Sequence, residues 1–504
     1  MLLKRILIGV LSVSMVVSLS ACGNTNPPAA SSASTATSTV TQPNESSTGA
    51  TAPQAGYERD RDMQRNPWLA QEVIALWEEG YEIDVAAYRQ KVSACNGNRL
   101  KEEALYHEMQ ALPLRADFPY REPTSYEDIM KQVPESMGLV ENPSNEEMDD
   151  RFYGAWLGRF VGSCLGMPVE MWSAKNIRTW VEKAGKWPLD YYIPTTSPAA
   201  TENGLRLNSL TTTSDKITFA PSDDDTRFTF SNLQVLRLYN ITWDTWDLGS
   251  VWLWSMPFRL LCTAERTAFL NFAMLDDNYM GGKPGNAKEI IKKTATYMNP
   301  YREWIGAQIR ADVWGYAFAG NPRQAAKIAY KDAALTHVKN GIYGEMFMAA
   351  MISAAFGERN VETLVDRALA EIPTETRLHE AITKTKEFVS KNKNPDAIIQ
   401  WIEDNYGHYN PIHTINNAAI CVAAVLYSQG DFEKAITFAA ISGMDVDCNC
   451  ATVGSILGAY NGANKIPAKW KDVISDDFYP YGQEKHSIAQ LAKETKLQWE
   501  IYGE

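Results

Sequence analysis

Apolar residues recur at three- and four-residue spacing through most of the chain, which is the spacing of one face of an α-helix. One such stripe runs from Leu364 to Ile372 and a second from Leu378 to Phe388. Asn321-Pro322 and Asn394-Pro395 are typical of helix starts, with an N-cap residue followed by proline in the first turn. Stretches that alternate apolar and polar residues are scarce. We therefore expect an all-α protein.

Residues 1–56 are not expected to join the folded core. A basic start and an apolar run over residues 6–19 lead to Leu19-Ser20-Ala21-Cys22, which predicts that residues 1–21 are a lipoprotein signal peptide. Lipidation of Cys22 would then anchor the protein to the outside of the cell membrane. An uncleaved membrane anchor is the alternative, but its apolar run is shorter than the roughly 20 residues that a spanning helix needs. Residues 22–56 are rich in Ser, Thr, Ala and Pro and are expected to form a disordered stalk.

Two folded regions are expected after the stalk. Residues 57–145 are rich in charged and aromatic residues and contain a helical stripe. We interpret them as an N-terminal helical extension that folds with the rest of the chain, with an independent small domain as the alternative. Residues 146–504 are expected to form one large multi-helix domain.

Composition and charge narrow the classes of partner. The 504 residues are 45% hydrophobic and 22% charged, as in an ordinary soluble protein, and the formal net charge is -13. Such a chain offers no basic surface to a phosphate backbone, so nucleic acid is not expected as a partner. Apart from Cys22, the cysteines are sparse and lie mostly in apolar or glycine-rich stretches, which indicates buried thiols and no disulfide framework.

Two acidic segments that are far apart in the sequence carry the candidate metal ligands. The first is Asp223-Asp224-Asp225, followed by Thr226 and a helical run. A divalent cation relieves the repulsion between adjacent carboxylates, although such a run alone is more often a solvated helix cap. The second is Asp445-Val446-Asp447-Cys448, whose apolar surroundings require a partner for each charge, most simply a cation. An EF-hand is excluded because Cys450 stands where that loop needs glycine and Ile456 where it needs glutamate.

A predicted helix that begins near Asp150 carries glycine at every fourth position, at Gly154, Gly158, Gly162 and Gly166. Glycine costs about 1 kcal/mol relative to alanine inside a helix. A row of four on one face therefore indicates close contact with another backbone or with a ligand. Pro168-Val169-Glu170 then places a single acid just beyond the end of this helix.

Taken together, these segments resemble the ADP-ribosylglycohydrolase family, which includes the dinitrogenase reductase-activating glycohydrolase. The resemblance rests on Asp150-Arg151-x-x-Gly154-Ala155 with Pro168-Val169-Glu170, on Asp224-Asp225-Thr226, and on Gly443-x-Asp445-x-Asp447. Each motif is weak, but their joint order is specific, and the similarity extends from about Asp150 to Trp470. The resemblance implies a large orthogonal multi-helix domain and a hydrolase of glycosidic bonds.

The resemblance also implies roles for individual residues. It implies two divalent cations, usually Mg2+ or Mn2+, and six metal ligands: Asp223, Asp224, Asp225, Asp445, Asp447 and Cys448. The family has threonine at the positions of Asp223 and Cys448, and a cysteine is a poor match for Mg2+. Glu170 matches the family's glutamate and would activate the attacking water. Three further residues match positions near the substrate: Ser163, His337 and Asn340. The family usually has aspartate at the position of Ser163. For His337 a structural role is an equal alternative.

These inferences predict a metal-dependent hydrolase that cleaves an N- or O-glycosidic bond to ADP-ribose or to a related ribosyl or glycosyl conjugate. Its expected partners are a small-molecule or ADP-ribosylated substrate and, through the lipid on Cys22, the membrane. The alternative is a ligand-binding lipoprotein. A solute receptor is usually α/β, which this chain is not expected to be. A catalytically silent relative that binds ADP-ribose or a sugar stays open because of Ser163 and Cys448.

Overall fold

Helices make up almost all of the regular structure in the computed structural model, which describes residues 67–276 and 282–503. The strands within these ranges are β1 (Asp477–Phe478) and β2 (His486–Ser487), which pair antiparallel. The prediction of an all-α protein is confirmed. The expected signal peptide, the expected lipidation site Cys22, the expected stalk and residues 57–66 lie outside the described residues.

The helices divide into those of the extension and those of the main body. The extension contains α1 (Pro67–Glu78), α2 (Val85–Cys95), α3 (Arg99–Gln110) and α4 (Tyr126–Met130). The first half of the main body contains α5 (Asn145–Gly166), α6 (Ala174–Lys183), α7 (Ala199–Glu202), α8 (Asp224–Tyr239), α9 (Thr245–Ser255), α10 (Thr263–Leu275), α11 (Ala287–Thr296) and α12 (Asp312–Ala317). The second half contains α13 (Pro322–Ala333), α14 (Lys339–Ala355), α15 (Val361–Leu369), α16 (Arg377–Lys391), α17 (Pro395–Tyr406), α18 (Thr414–Ser428), α19 (Phe432–Ile441), α20 (Val446–Asn461), α21 (Ala468–Lys471) and α22 (Ile488–Tyr502). Among the described residues, no helix combines the length and apolar character that crossing a membrane requires.

Local sequence explains where several helices begin. The side chain of Asn321 accepts a hydrogen bond from the Gln324 amide, and that of Asn394 accepts one from the Asp396 amide. In both helices proline occupies the first turn, where its missing N–H group costs nothing. The predicted starts of α13 and α17 are therefore confirmed.

The main core surrounds three helices that are buried on nearly every side, α14, α18 and α20. A helix that is apolar all round belongs in the interior, and the small residues of these helices allow neighbouring backbones to approach closely. A second, smaller apolar cluster joins α1, α2 and α3 around Leu69, Val73 and Leu105.

Buried ion pairs connect the extension to the main body. Arg302 lies 2.8 Å from the Glu72 carboxylate and 2.6 Å from that of Glu79, both on or next to α1. Arg377, at the start of α16, lies 2.6 Å from the Glu122 carboxylate. Removing one partner of a buried pair costs about 3–5 kcal/mol, because the other charge is left uncompensated. The extension is thus held by charge as well as by apolar packing.

Candidate metal centre

Helices α5 and α20 pack backbone against backbone. An added Cβ at Gly158 would lie 2.1 Å from the Gly454 carbonyl oxygen, and one at Gly162 would lie 2.0 Å from the Cys450 carbonyl oxygen. We call this contact the glycine seam: the four glycines of α5 against residues 447–458 of α20. The glycine row was expected to contact another backbone or a ligand, and the structure shows another backbone.

The glycine seam ends at the second acidic segment. A Cβ at Gly166 would lie 2.3 Å from the Asp447 Cα atom, so the last turn of α5 rests on the first turn of α20. Asp447 is only 3% exposed. The free N–H groups of a helix start stabilise negative charge, which offsets part of the cost of burying its carboxylate.

The chain beyond α5 is tied to the loop that precedes α20. The Met171 amide donates a hydrogen bond to the Met444 carbonyl at 2.9 Å. Gly443 has a φ of +76°, and the opposing backbone leaves no room for a Cβ, so glycine is required at this close approach. This tie brings Glu170, which directly precedes Met171, to Asp445.

The first acidic segment forms the start of α8. Asp223 is the N-cap: its carboxylate accepts a hydrogen bond from the Asp225 amide at 3.1 Å, and the Thr226 hydroxyl accepts one from the Asp223 amide at 3.3 Å. This capping box places Asp224 and Asp225 in the first turn. Asp225 is fully buried, so the interpretation of this segment as a solvated cap is wrong for Asp225.

Arg159, buried in α5, holds Asp225 in place. One guanidinium nitrogen lies 2.8 Å from Asp225 Oδ1 and another lies 3.2 Å from Asp312 Oδ2. The same guanidinium donates to the Thr452 hydroxyl of α20 at 3.0 Å. Neither Arg159 nor Asp312 can be recognised as a site residue from the sequence, because a single charge within a helix gives no local sign of burial. The nearest signal is that Arg159 directly follows one glycine of the row.

The two acidic segments meet at one point. Ligand atoms of Asp225, Asp447 and Cys448 lie within 4.8 Å of one another, and those of Glu170, Asp445 and Asp447 do the same. Asp447 belongs to both groups. The five residues therefore form one continuous cluster, which we call the acidic cluster.

Burial strongly perturbs the carboxyl groups of the acidic cluster. It raises the pKa of Asp225 to about 7 and that of Asp445 to about 8. Burial, and then the charge of Asp445, raises the pKa of Asp447 well above its ordinary value. The pKa of Glu170 is raised by burial and by the neighbouring charge of Asp224. Full ionisation of the cluster therefore requires a positive partner.

The donor atoms of the acidic cluster fit a divalent cation. Two buried carboxylate oxygens, Asp225 Oδ2 and Asp447 Oδ1, have no hydrogen-bond partner. Each such group costs about 1–3 kcal/mol or more when it is left unsatisfied, and a cation satisfies both at once. Carboxylate oxygens are also the ligands that Mg2+ and Mn2+ prefer.

Three other residues of the predicted site are not members of the acidic cluster: Asp223, Asp224 and Ser163. Asp223 uses its Oδ1 atom to cap α8 and does not belong to the groups within 4.8 Å that the described residues form. Ser163 is buried in α5, directly after Gly162. Their predicted roles in metal and substrate binding stay predictions.

His337 and Asn340 lie in buried surroundings outside the acidic cluster. The Asn340 side-chain amide donates to the carboxylates of Glu122 and Glu303 at 2.8 Å each, and its carbonyl accepts from the Leu378 amide at 3.0 Å. These contacts give Asn340 a structural role at the base of α14. His337 is fully buried and keeps Nε2 without a hydrogen-bond partner. Contact of either residue with a substrate stays a prediction.

Comparison with known proteins gives three findings. The model of the ADP-ribosylglycohydrolase family matches residues 144–501. A solved structure described as an "ADP-ribosylglycohydrolase-related protein complex" is similar at 20% sequence identity and a TM-score of 0.46, and the match covers 71% of this chain and 99% of that chain. A search of the curated proteins found no match. Because the family model spans well over half of the 504 residues, the chain belongs to the ADP-ribosylglycohydrolase family.

Proposed function

We propose that the protein is a metal-dependent hydrolase that cleaves an N- or O-glycosidic bond to ADP-ribose or to a related ribosyl or glycosyl conjugate. The observation that carries this proposal is the acidic cluster, in which Asp447 joins Asp225 to Asp445 and Glu170 and two buried carboxylate oxygens have no hydrogen-bond partner. Family membership supports hydrolysis of a glycosidic bond. The chemistry of the acidic cluster supports the use of a divalent cation.

Such a reaction needs an activated water, sugar hydroxyls held in position and compensation for the charge that develops as the bond breaks. Divalent cations, when bound, supply positive charge to the sugar hydroxyls and lower the pKa of water. Asp225, Asp445 and Asp447 would hold them, with Arg159 fixing the orientation of Asp225 through Oδ1.

In this proposal Glu170 takes the proton of the attacking water. It is half-buried, its backbone carbonyl accepts a hydrogen bond from the Asn208 side chain at 2.7 Å, and its carboxylate lies at the edge of the acidic cluster. Burial and the charge of Asp224 raise the pKa of this carboxyl, which makes its carboxylate a stronger base. Glu170 would take one proton from the water as the water oxygen forms its bond to the anomeric carbon. The glycosidic bond breaks in the same reaction, and the leaving group departs with the bonding electron pair.

The test uses an ADP-ribosylated peptide with Mg2+ or Mn2+, with and without chelator, and measures free ADP-ribose. We expect Glu170→Gln to lower turnover roughly 10²- to 10⁴-fold while cation binding persists. Asp225→Asn should lose both turnover and cation binding. The control is Glu146→Gln, an exposed acid at the start of α5. If the wild type releases no ADP-ribose with either cation, or with Co2+ or Zn2+ in their place, the ADP-ribosyl substrate is wrong.

The second candidate is a catalytically silent relative that binds ADP-ribose or a sugar. It is favoured by Ser163 and Cys448, which differ from the aspartate and threonine of the family pattern. A receptor of this kind would bind ADP-ribose with similar affinity before and after Glu170→Gln and would never release product. Calorimetric titration with ADP-ribose, run beside the turnover assay, separates the two.

We also propose that the protein is exported and anchored to the cell membrane by a lipid on Cys22. The support is the order of a basic start, an apolar run and Leu19-Ser20-Ala21-Cys22. Labelling with a fatty acid in the producing cell should mark the wild type and not Cys22→Ala. Equal labelling of both would contradict lipidation at this residue.

A further inference from the structure

Cys448 places a thiol inside the acidic cluster. Its Sγ atom and the carboxylate oxygens of Asp225 and Asp447 all lie within 4.8 Å of one another. Cys448 is 5% exposed, so these oxygens and not solvent are its polar surroundings.

The neighbours of Cys448 have unused coordinating capacity. Asp225 Oδ2 and Asp447 Oδ1 are buried and have no hydrogen-bond partner, so two carboxylates and one sulfur are available around the same point. The other buried thiols near α20 differ in this respect. Cys450 Sγ contacts the Ile436 carbonyl at 3.5 Å, and Cys421 Sγ contacts the Asn449 side-chain carbonyl at 3.4 Å.

A donor set of two carboxylates and one thiolate selects among divalent cations. Thiolate sulfur binds borderline and soft metals such as Zn2+ and Co2+ well, whereas Mg2+ requires oxygen. We propose that Cys448 is a direct thiolate ligand and that it gives this centre a preference for a borderline cation of the Zn2+ and Co2+ class over Mg2+. On binding, the thiol proton passes to solvent and sulfur donates an electron pair to the cation, with no change of oxidation state. This inference rests on the metal centre of the proposed function.

The experiment uses Co2+ as a spectroscopic probe on the full chain after removal of metal with chelator. The wild type should develop a near-ultraviolet charge-transfer band from thiolate to cobalt. Cys448→Ser should lose the band, bind Co2+ at least about tenfold more weakly and keep or improve its affinity for Mg2+. Cys450→Ser, the matched change two residues further along the same helix, should keep the band. Transition metals such as Zn2+ and Co2+ bind more tightly than Mg2+ at many sites, so a higher affinity for Co2+ alone decides nothing. The measured quantity is therefore the ratio of Co2+ affinity to Mg2+ affinity, compared between the wild type and each variant.

Three results would overturn the inference. Co2+ that binds the wild type without a charge-transfer band excludes a thiolate ligand, while the metal centre and the proposed function stand. A band that survives Cys448→Ser and disappears with Cys450→Ser or with exposed Cys262→Ser places the sulfur ligand elsewhere. Absence of binding for both Co2+ and Mg2+ removes the metal centre itself, and the proposed function fails with it. The wild-type spectrum decides whether a thiolate binds the cation even if a variant does not fold. If Cys448→Ser does not fold, Cys448→Thr takes its place, because threonine is the residue of the family pattern at this position.

Discussion

The glycine seam predicts that Gly162→Ala destabilises the protein, although alanine is the better helix former. An added Cβ at Gly162 would lie 2.0 Å from the Cys450 carbonyl oxygen and 2.4 Å from its carbon, whereas real Cβ atoms essentially never come closer than 3.0 Å to such neighbours. The obstacle is main chain within a helix and not a flexible side chain. Helices α5 and α20 must therefore move apart by about 1 Å to admit the methyl group.

The magnitude follows from two opposing terms. Replacing glycine by alanine inside a helix contributes about 1 kcal/mol of stability. Overpacking a core costs about 1–3 kcal/mol where the neighbours can adjust, and a helix backbone places the cost at the top of that range or above it. We expect a net loss of about 2 kcal/mol or more in the free energy of unfolding. The affinity for Mn2+ should fall as well, because the glycine seam sets where Asp447 stands relative to Asp225.

The assay is thermal unfolding with chelator and again with saturating Mn2+. Gly285→Ala is the control, since a Cβ at Gly285 meets nothing within 4 Å. This variant should melt within a degree or two of the wild type, because such surface changes are worth about 0.5 kcal/mol or less. The reasoning is refuted if Gly162→Ala melts at or above the wild-type temperature and binds Mn2+ with unchanged affinity.

Two further predictions concern charge in the acidic cluster. The raised pKa values of Asp225 (about 7) and Asp445 (about 8) mean that the metal-free folded state keeps protons that the unfolded state has lost. The free energy of unfolding of the metal-free protein therefore falls as the pH rises from about 4 to about 8. The added stability from saturating Mn2+ should grow with pH in thermal melts between about pH 6 and pH 8. If the added stability from Mn2+ stays constant over this range, the prediction is wrong. Arg159→Met removes the guanidinium that pairs with the carboxylates of Asp225 and Asp312. The free energy of unfolding, measured with urea and chelator, should fall by about 3–5 kcal/mol. A urea midpoint equal to that of the wild type would show that these pairs do not stabilise the fold.

Local features of the sequence were sufficient for the helical fold and for the glycine seam. The stripe from Leu364 to Ile372 and the capping asparagines Asn321 and Asn394 act within a few residues, so their effect can be inferred from the sequence alone. The spacing of the glycine row carried information about packing, because only close contact offsets the cost of glycine in a helix.

The partners in the site depend on tertiary contacts and could not be inferred in this way. Arg159 and Asp312 are fully buried charges whose spacing in the sequence, more than 150 positions, contains no sign that they meet. Asn340 matched a family position near the substrate, yet its side chain is occupied by Glu303 and by a backbone amide. The role of such residues depends on their burial, and burial is determined by the packing of the whole fold.

The ion pairs of the extension show that the family match and the set of residues that pair with Arg302 begin at different places in the chain. Recognisable homology begins at residue 144, but Arg302 finds its two carboxylates on Glu72 and Glu79, well upstream of that point. A protein trimmed to the homologous segment would keep Arg302, which is 5% exposed in the intact fold, and remove both of its counter-charges. The segment that matches the family and the segment that keeps this buried charge paired therefore begin at different residues, and a shortened protein should still include α1 and Glu79.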